Sequence, residues 1–109
     1  VLASYQMTQA RIADMATGVD ASALLVYRAA WVKDSGVPRI SREASMAKLF
    51  TSEIAEKICS EAIQTMGGYG YLEDFSVERI FRDVRVCQIY EGTSDILRLV
   101  ISKEISEDD

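Results

Sequence analysis

The sequence predicts an all-α domain, an up-and-down arrangement resembling a four-helix bundle, with two long antiparallel helices and two shorter ones. Three observations carry this. One proline and six glycines in 109 residues leave few natural breaks. Apolar residues recur at the three-and-four spacing of helices rather than alternating as in strands. With 49% of residues apolar and 27% charged, the chain has the composition of an ordinary globular protein and not of a disordered one. At this length it makes one domain at most.

The first helix is expected from about Leu2 to Ser35, with Tyr5, Ile12, Met15, Val19, Ala23, Val26 and Ala30 near one face. Its length would be about 50 Å, typical of a bundle. Gly18 inside it costs roughly 1 kcal/mol relative to alanine, a penalty that packing can absorb. The stretch Asp34-Ser35-Gly36-Val37-Pro38 is the stop: glycine suits a left-handed cap, and proline cannot extend the preceding helix. A second helix is expected to begin at Ser41, capped by its own hydroxyl, with Glu43 favourable in the first turn. It turns Ala44, Ala47, Phe50, Ile54, Ile58, Ala62 and Met66 to one side and ends at Gly67-Gly68, before a loop through Asp74. A short third helix, Ser76 to Arg85, places Val77, Ile80, Phe81 and Val84 inward. Thr93 or Ser94 caps a last helix whose stripe is Ile96, Leu97, Val100 and Ile101. The acidic tail, Glu104 to Asp109, is expected to fray. Tyr27, Trp31, Phe50 and Phe81 read as packing groups. The C-terminal end reads as complete, whereas Val1-Leu2-Ala3 enters a helical pattern with no start signal. The first helix is therefore expected to be incomplete and the chain to be part of a larger polypeptide.

Composition excludes several function classes. The chain has no histidine, which removes nitrogen-ligand metal sites and Ser-His-Asp or Cys-His catalysis. Cys59 and Cys87 lack Cys-x-x-Cys spacing and read as reduced, small buried hydrophobes in a cytoplasmic setting. A net charge of −5 gives no reason to expect nucleic acid. No apolar run approaches the roughly 20 residues that span a bilayer. Arg79, Arg82 and Arg85 alternate with Glu78 and Asp83, either as a solvated face with i,i+4 pairs or as ion pairs within or between subunits.

The chemistry concentrates in residues 88 to 95, Gln88-Ile89-Tyr90-Glu91-Gly92-Thr93-Ser94-Asp95. Glu91 stands in a break between two helical patterns, after Ile89-Tyr90 and before Gly92. A positioned general base has those needs: partial desolvation, a glycine that admits a substrate, and a rigid helix beyond. The plain alternative is a solvated loop glutamate. Gly92 equally fits a demand for backbone torsion alone, and Thr93 or Ser94 a role as caps alone. Upstream, Gln64-Thr65-Met66-Gly67-Gly68-Tyr69-Gly70-Tyr71 closes the second helix, and a Gly-Gly pair would serve as a C-cap unaided.

These residues together resemble the C-terminal domain of the flavin-dependent acyl-CoA dehydrogenases. Gln64, Gly67-Gly68, Gly70, Tyr71, Asp74, Arg79 and Asp83 follow that family's C-terminal signature, and Ile89-Tyr90-Glu91-Gly92-Thr93-Ser94 its catalytic segment. Ile12 to Thr17, Leu25 to Ala30 and Ala47 to Phe50 resemble its long helices, so the likeness runs from about residue 5 to residue 105. A full member has an N-terminal helical domain and a middle β-domain ahead of this bundle. The bundle's first helix and an Arg-rich flavin-contacting loop should therefore precede Val1.

The resemblance implies α,β-dehydrogenation of an acyl-CoA thioester to the trans-2-enoyl-CoA. Glu91 removes the α-proton as the β-hydrogen leaves as hydride to FAD. The site must stabilise the developing enolate and keep the base out of water. The resemblance makes Tyr90 a wall of the acyl pocket and Gly92 a point of close substrate passage. It places Thr93, Ser94 and Asp95 on FAD, and Gln64, Gly67 and Gly68 on the FAD of a neighbouring subunit. It further implies electron-transfer flavoprotein as electron acceptor, a homodimer or homotetramer, and the mitochondrial matrix in a eukaryote. Alternatives are a non-catalytic helical association module, an acyl-CoA oxidase and a flavin monooxygenase relative. Glu rather than Asp at position 91 favours the dehydrogenase over the nitroalkane-oxidising branch.

Overall fold

In the computed structural model, which describes residues 1–107, five helices follow one another: α1 (Gln6–Asp34), α2 (Ser41–Met66), α3 (Gly68–Tyr71), α4 (Val77–Val84) and α5 (Ser94–Glu107). Single 3-10 turns precede α1 at Leu2–Ser4 and follow α4 at Arg85–Gln88. No strand occurs among the described residues. The all-α expectation holds, and the 52 × 26 × 23 Å envelope reflects the two long helices.

The breaks fall where glycine permits them. Gly36, at φ +86°, ends α1 with its amide on the Lys33 carbonyl, and Gly67, at φ +63°, ends α2 with its amide on Gln64. Other boundaries differ from expectation. Extended backbone at Tyr5 delays α1 to Gln6. Ser41 is the first helical residue of α2 and not its cap; Ile40 takes the cap position, its carbonyl accepting from Ala44, and no side chain closes that end. Glu43 does occupy the first turn. The loop after α2 contains one helical turn, α3, set by the Gly70 amide on the Gly67 carbonyl. Far from fraying at Glu104, α5 continues to Glu107, because Arg39 bonds to Glu104 and pairs with Glu107. Asp108 and Asp109, the end of the tail expected to fray, lie outside the described residues.

The centre is α2. Contacts step down it as they step up α1, from Arg11–Glu61 to Gly18 against Ile54 and Ile58 and then Arg28–Met46, so the two helices are antiparallel. Along another side Phe81 lies by Ser60, and Arg85 and Gln88 meet Glu56. The chain then reaches Lys48 before α5 runs along α2 from Arg98–Glu53 to Glu104–Arg39. Neither Glu78–Arg82 nor Arg79–Asp83 forms an ion pair among the described residues; Arg85 reaches Glu56 at 3.8 Å instead.

The face of α1 that packs is not the more apolar one. Thr8, Arg11, Met15, Gly18, Ser22, Leu25, Ala29 and Val32 form the buried and half-buried stripe. Of the expected stripe only Met15 and Ala23 are half-buried; Tyr5, Ile12, Val19, Val26 and Ala30 are exposed. Tyr27 and Trp31, read as packing groups, are 68% and 70% exposed, and Phe50 is exposed as well. The reason is helix separation. A Cβ on Gly18 would lie 2.9 Å from Ile54 Cγ1, so the small face is the one that lets α2 approach. Ile96 likewise lies outside, while Leu97 is buried and Val100 and Ile101 are half-buried. Ile80 is exposed on α4, beside half-buried Val77, Phe81 and Val84. Cys59 and Cys87 are free and half-buried, short of the full burial expected, and burial pushes the Cys59 thiol up from its ordinary value.

Gly70 is the tightest point. A Cβ there would meet the Ile63 carbonyl oxygen at 2.7 Å and Ile63 Cα at 2.9 Å, both backbone atoms that cannot swing aside. Gly70→Ala is therefore expected to destabilise the protein by roughly 1–3 kcal/mol, read as a lowered melting temperature. An unchanged melt would contradict this packing.

Candidate active site

The sequence-predicted residues divide into two groups. Tyr90, Glu91, Gly92, Thr93, Ser94 and Asp95 are continuous through the turn before α5 and its first two residues, with the turn against Lys48 in the first half of α2. Gln64, Gly67 and Gly68 are exposed at the far end of α2, about 24 Å along the helix axis from Lys48 at 1.5 Å per residue.

The turn is built by successive constraints. After the 3-10 turn, the amides of Ile89 and Tyr90 both donate to the Val86 carbonyl, at 2.9 and 3.1 Å. Glu91 then adopts φ +55°, and is the one non-glycine residue with positive φ among those described. Gly92 follows at φ +100°, where any side chain would be strained. Thr93 starts the helix: its carbonyl accepts from Leu97 at 2.9 Å and its hydroxyl from the Ile96 amide at 3.3 Å. Of the two capping candidates Thr93 is thus the one used. Ser94 Oγ is buried and has no hydrogen-bond partner. Asp95 is almost wholly exposed and lies 3.8 Å from Arg98.

Lys48 is the residue that motif reading missed. Its ammonium donates to the carbonyl oxygens of both Tyr90 and Gly92, the residues on either side of Glu91. It also lies 5.8 Å from the centre of the Tyr90 ring, within cation–π range. Holding a glutamate at positive φ costs about 1–2 kcal/mol, and two charge-assisted hydrogen bonds of about 1.5 kcal/mol or more each are enough to offset it. The signal available in sequence was slight: one cation among the small residues of Ala44 to Ser52, four positions after Ala44 and so on the same side of the helix.

Beside this turn lies an apolar groove of about 400 Å³, lined by Val26 of α1, by Ala44, Ala47 and Ala55 of α2, and by Cys87 and Tyr90. Tyr90 Oη is 3.6 Å from Cys87 Sγ. That hydrogen bond, followed by the charge interaction with Cys87, slight desolvation and the Glu91 carboxylate, pushes the phenol up from its ordinary value, so Tyr90 is neutral at physiological pH. Glu91 itself is exposed. The expectation that this carboxylate is held away from water is not met by the described residues. Leu97 lies against the turn, 3.6 Å from where a Cβ of Gly92 would stand.

Among the described residues no cluster of histidine, cysteine, aspartate or glutamate could hold a metal ion, and no helix is long and apolar enough to cross a membrane.

Comparison with known proteins places the chain in a family. The family model for "Acyl-CoA dehydrogenase, C-terminal domain" matches residues 1–106. Cyclohexane-1-carbonyl-CoA dehydrogenase of Geobacter metallireducens is 51% identical over 104 residues, which are 95% of this chain and 27% of that protein. The caffeyl-CoA reductase-Etf complex subunit CarC of Acetobacterium woodii is 50% identical over 101 residues, 93% of this chain and 26% of its own length. A solved FAD complex of PigA matches with a TM-score of 0.91 at 29% identity, covering 98% of this chain and 28% of that one. The chain thus spans about a quarter of the length of the relatives it matches.

The two hydroxyls at the start of α5 separate by substitution. Thr93→Ala removes the cap and is expected to cost about 1 kcal/mol. Ser94→Ala removes a buried hydroxyl without a partner and is expected to be neutral or stabilising. Urea denaturation of the two variants checks the order, and equal losses would contradict the assignment of Thr93 as the cap.

Proposed function

Because the chain belongs to the acyl-CoA dehydrogenase family, as its C-terminal domain, we propose that it is the helical part of a flavoprotein oxidoreductase that converts acyl-CoA thioesters to trans-2-enoyl-CoA, with Glu91 as the base. The observation that carries this reading is the backbone at Glu91. A left-handed glutamate, clamped through both neighbouring carbonyls and followed by glycine, is a carboxylate given one direction at a structural cost. The Coenzyme A thioesters in the names of the two relatives support the substrate class.

In this reading Glu91 takes the α-proton onto a carboxylate oxygen. Tyr90, neutral and lining the apolar groove, forms a wall for the acyl chain, and Gly92 lets substrate pass close to the backbone. An exposed carboxylate is too weak a base for a thioester α-proton, so the substrate and the remainder of the polypeptide must cover Glu91 during the reaction. The chemistry that FAD supplies when bound is acceptance of the β-hydrogen as hydride.

The residues assigned to FAD fit a charged dinucleotide. Positions 67 and 68 have nothing within 4 Å of where a side chain would begin, leaving bare backbone beside the exposed Gln64 amide. The first amides of α5, at Thr93 to Asp95, are anion-facing donors; Ser94 would serve through its backbone, since its hydroxyl is turned inward. The length of α2 between the two groups supports their contacting different FAD molecules, and hence a homodimer or homotetramer. The FAD complex of PigA supports the cofactor, and the Etf complex of CarC supports electron-transfer flavoprotein as acceptor. A cytoplasmic setting, or the mitochondrial matrix in a eukaryote, follows from the same assignment.

In the full-length flavoprotein, Glu91→Gln is expected to retain FAD and its yellow colour but lose bleaching by acyl-CoA under anaerobic conditions. Rapid bleaching in that variant would falsify the assignment of the base. The isolated 109-residue chain is expected to bind no stoichiometric FAD, because its two groups of cofactor residues are parts of separate sites. Equilibrium dialysis against FAD tests this, and one bound FAD per chain would refute the division.

A further inference from the structure

Lys48 has no part in the reading above beyond its hydrogen bonds, yet those bonds select one conformation of the base. We propose that Lys48 is a positioning residue for Glu91. This rests on Glu91 being the base and adds how that base is aimed.

Three features carry the inference. First, the ammonium donates to the carbonyls of Tyr90 and Gly92 and so ties down the peptide group that enters Glu91 and the one that leaves Gly92. Between these two anchors the chain passes through two left-handed residues, Glu91 at φ +55° and Gly92 at φ +100°, and that span sets the direction of the Glu91 Cα–Cβ bond. Second, Lys48 is anchored in α2, within a stretch that also includes buried Ser45, Ala47 and Ser52. The turn is thereby referenced to the helix that the other helices pack against. Third, Lys48 lines the same groove as Tyr90 and lies over that ring, so one cation sets both the base and the wall beside it. Its donors go to main-chain oxygens that bracket a single acid.

The consequence is a residue that governs the rate of proton removal through the backbone that carries Glu91. Removing its hydrogen bonds leaves the helices and groove in place but frees Glu91 to leave the left-handed region, where most non-glycine residues do not remain unassisted. The near-attack geometry is then populated for a smaller fraction of the time.

The test uses full-length, FAD-loaded protein in anaerobic rapid mixing with acyl-CoA. Lys48→Met, which keeps the stem and removes the donors, is expected to lower the maximal rate of flavin bleaching on the order of tenfold to a hundredfold. The dissociation constant for acyl-CoA is expected to stay within about twofold. Lys48→Arg, which restores a cation with two donors, should recover most of the lost rate. With α-deuterated acyl-CoA the isotope effect should grow in Lys48→Met, since proton removal becomes more strongly limiting. If Glu91→Gln is inactive while Lys48→Met bleaches at the wild-type rate, the role of Lys48 is overturned and that of Glu91 stands. If Glu91→Gln bleaches rapidly, the base assignment fails and the positioning role fails with it. A loss of FAD or of melting temperature in Lys48→Met that Lys48→Arg does not restore would mean a packing role only, and would also overturn the proposal.

Discussion

The packing of small residues along α2 is the constraint on which the other elements depend. α1, α3, α4 and α5 all make their principal contacts with that helix rather than with one another. The alanines and serines of α2 let three sides be approached at once, and Gly18 removes the one side chain that would hold α1 away. Because the turn at Glu91 is fixed from Lys48, the same helix that forms the core also carries the reference point for the chemistry. Few large side chains are buried; among the described residues Ala47, at 7% exposure, and Leu97, at 8%, are the buried apolar side chains. Most of the apolar surface of a domain so thin remains at its boundary.

Much of the fold could be read in advance because glycine and proline mark its joints. Gly36 with Pro38, Gly67 with Gly68, and Gly92 stand at three of the breaks, and the helices between them keep their expected type to within a few residues. The orientation of α1 could not be read. Hydrophobicity ranks Tyr5, Ile12, Val19 and Val26 above Thr8, Gly18 and Ser22, yet close approach of two backbones favours the smaller set, and periodicity does not measure separation. The extent of α5 was hidden for a different reason. An acidic end without a partner frays, and the partner, Arg39, lies in the connection before α2, far away in sequence.

The candidate site was legible as a string of neighbours, since Tyr90 to Asp95 are contiguous, but its support was not. Lys48 contributes nothing to a linear motif; it becomes visible only when α2 and the turn are side by side. The exposure of Glu91 shows the converse limit. The chemistry requires a desolvated acid, whereas solvation depends on what covers the turn, and among the described residues Glu91 is exposed.

The open flank of α1 has a practical side. The chain contains a single tryptophan, Trp31, and its indole is 70% exposed there beside Tyr27. Its emission therefore reports one surface only, undiluted by other indoles. A shift of that fluorescence to shorter wavelength registers water leaving this flank, so the domain carries its own optical gauge for whatever comes to lie against it.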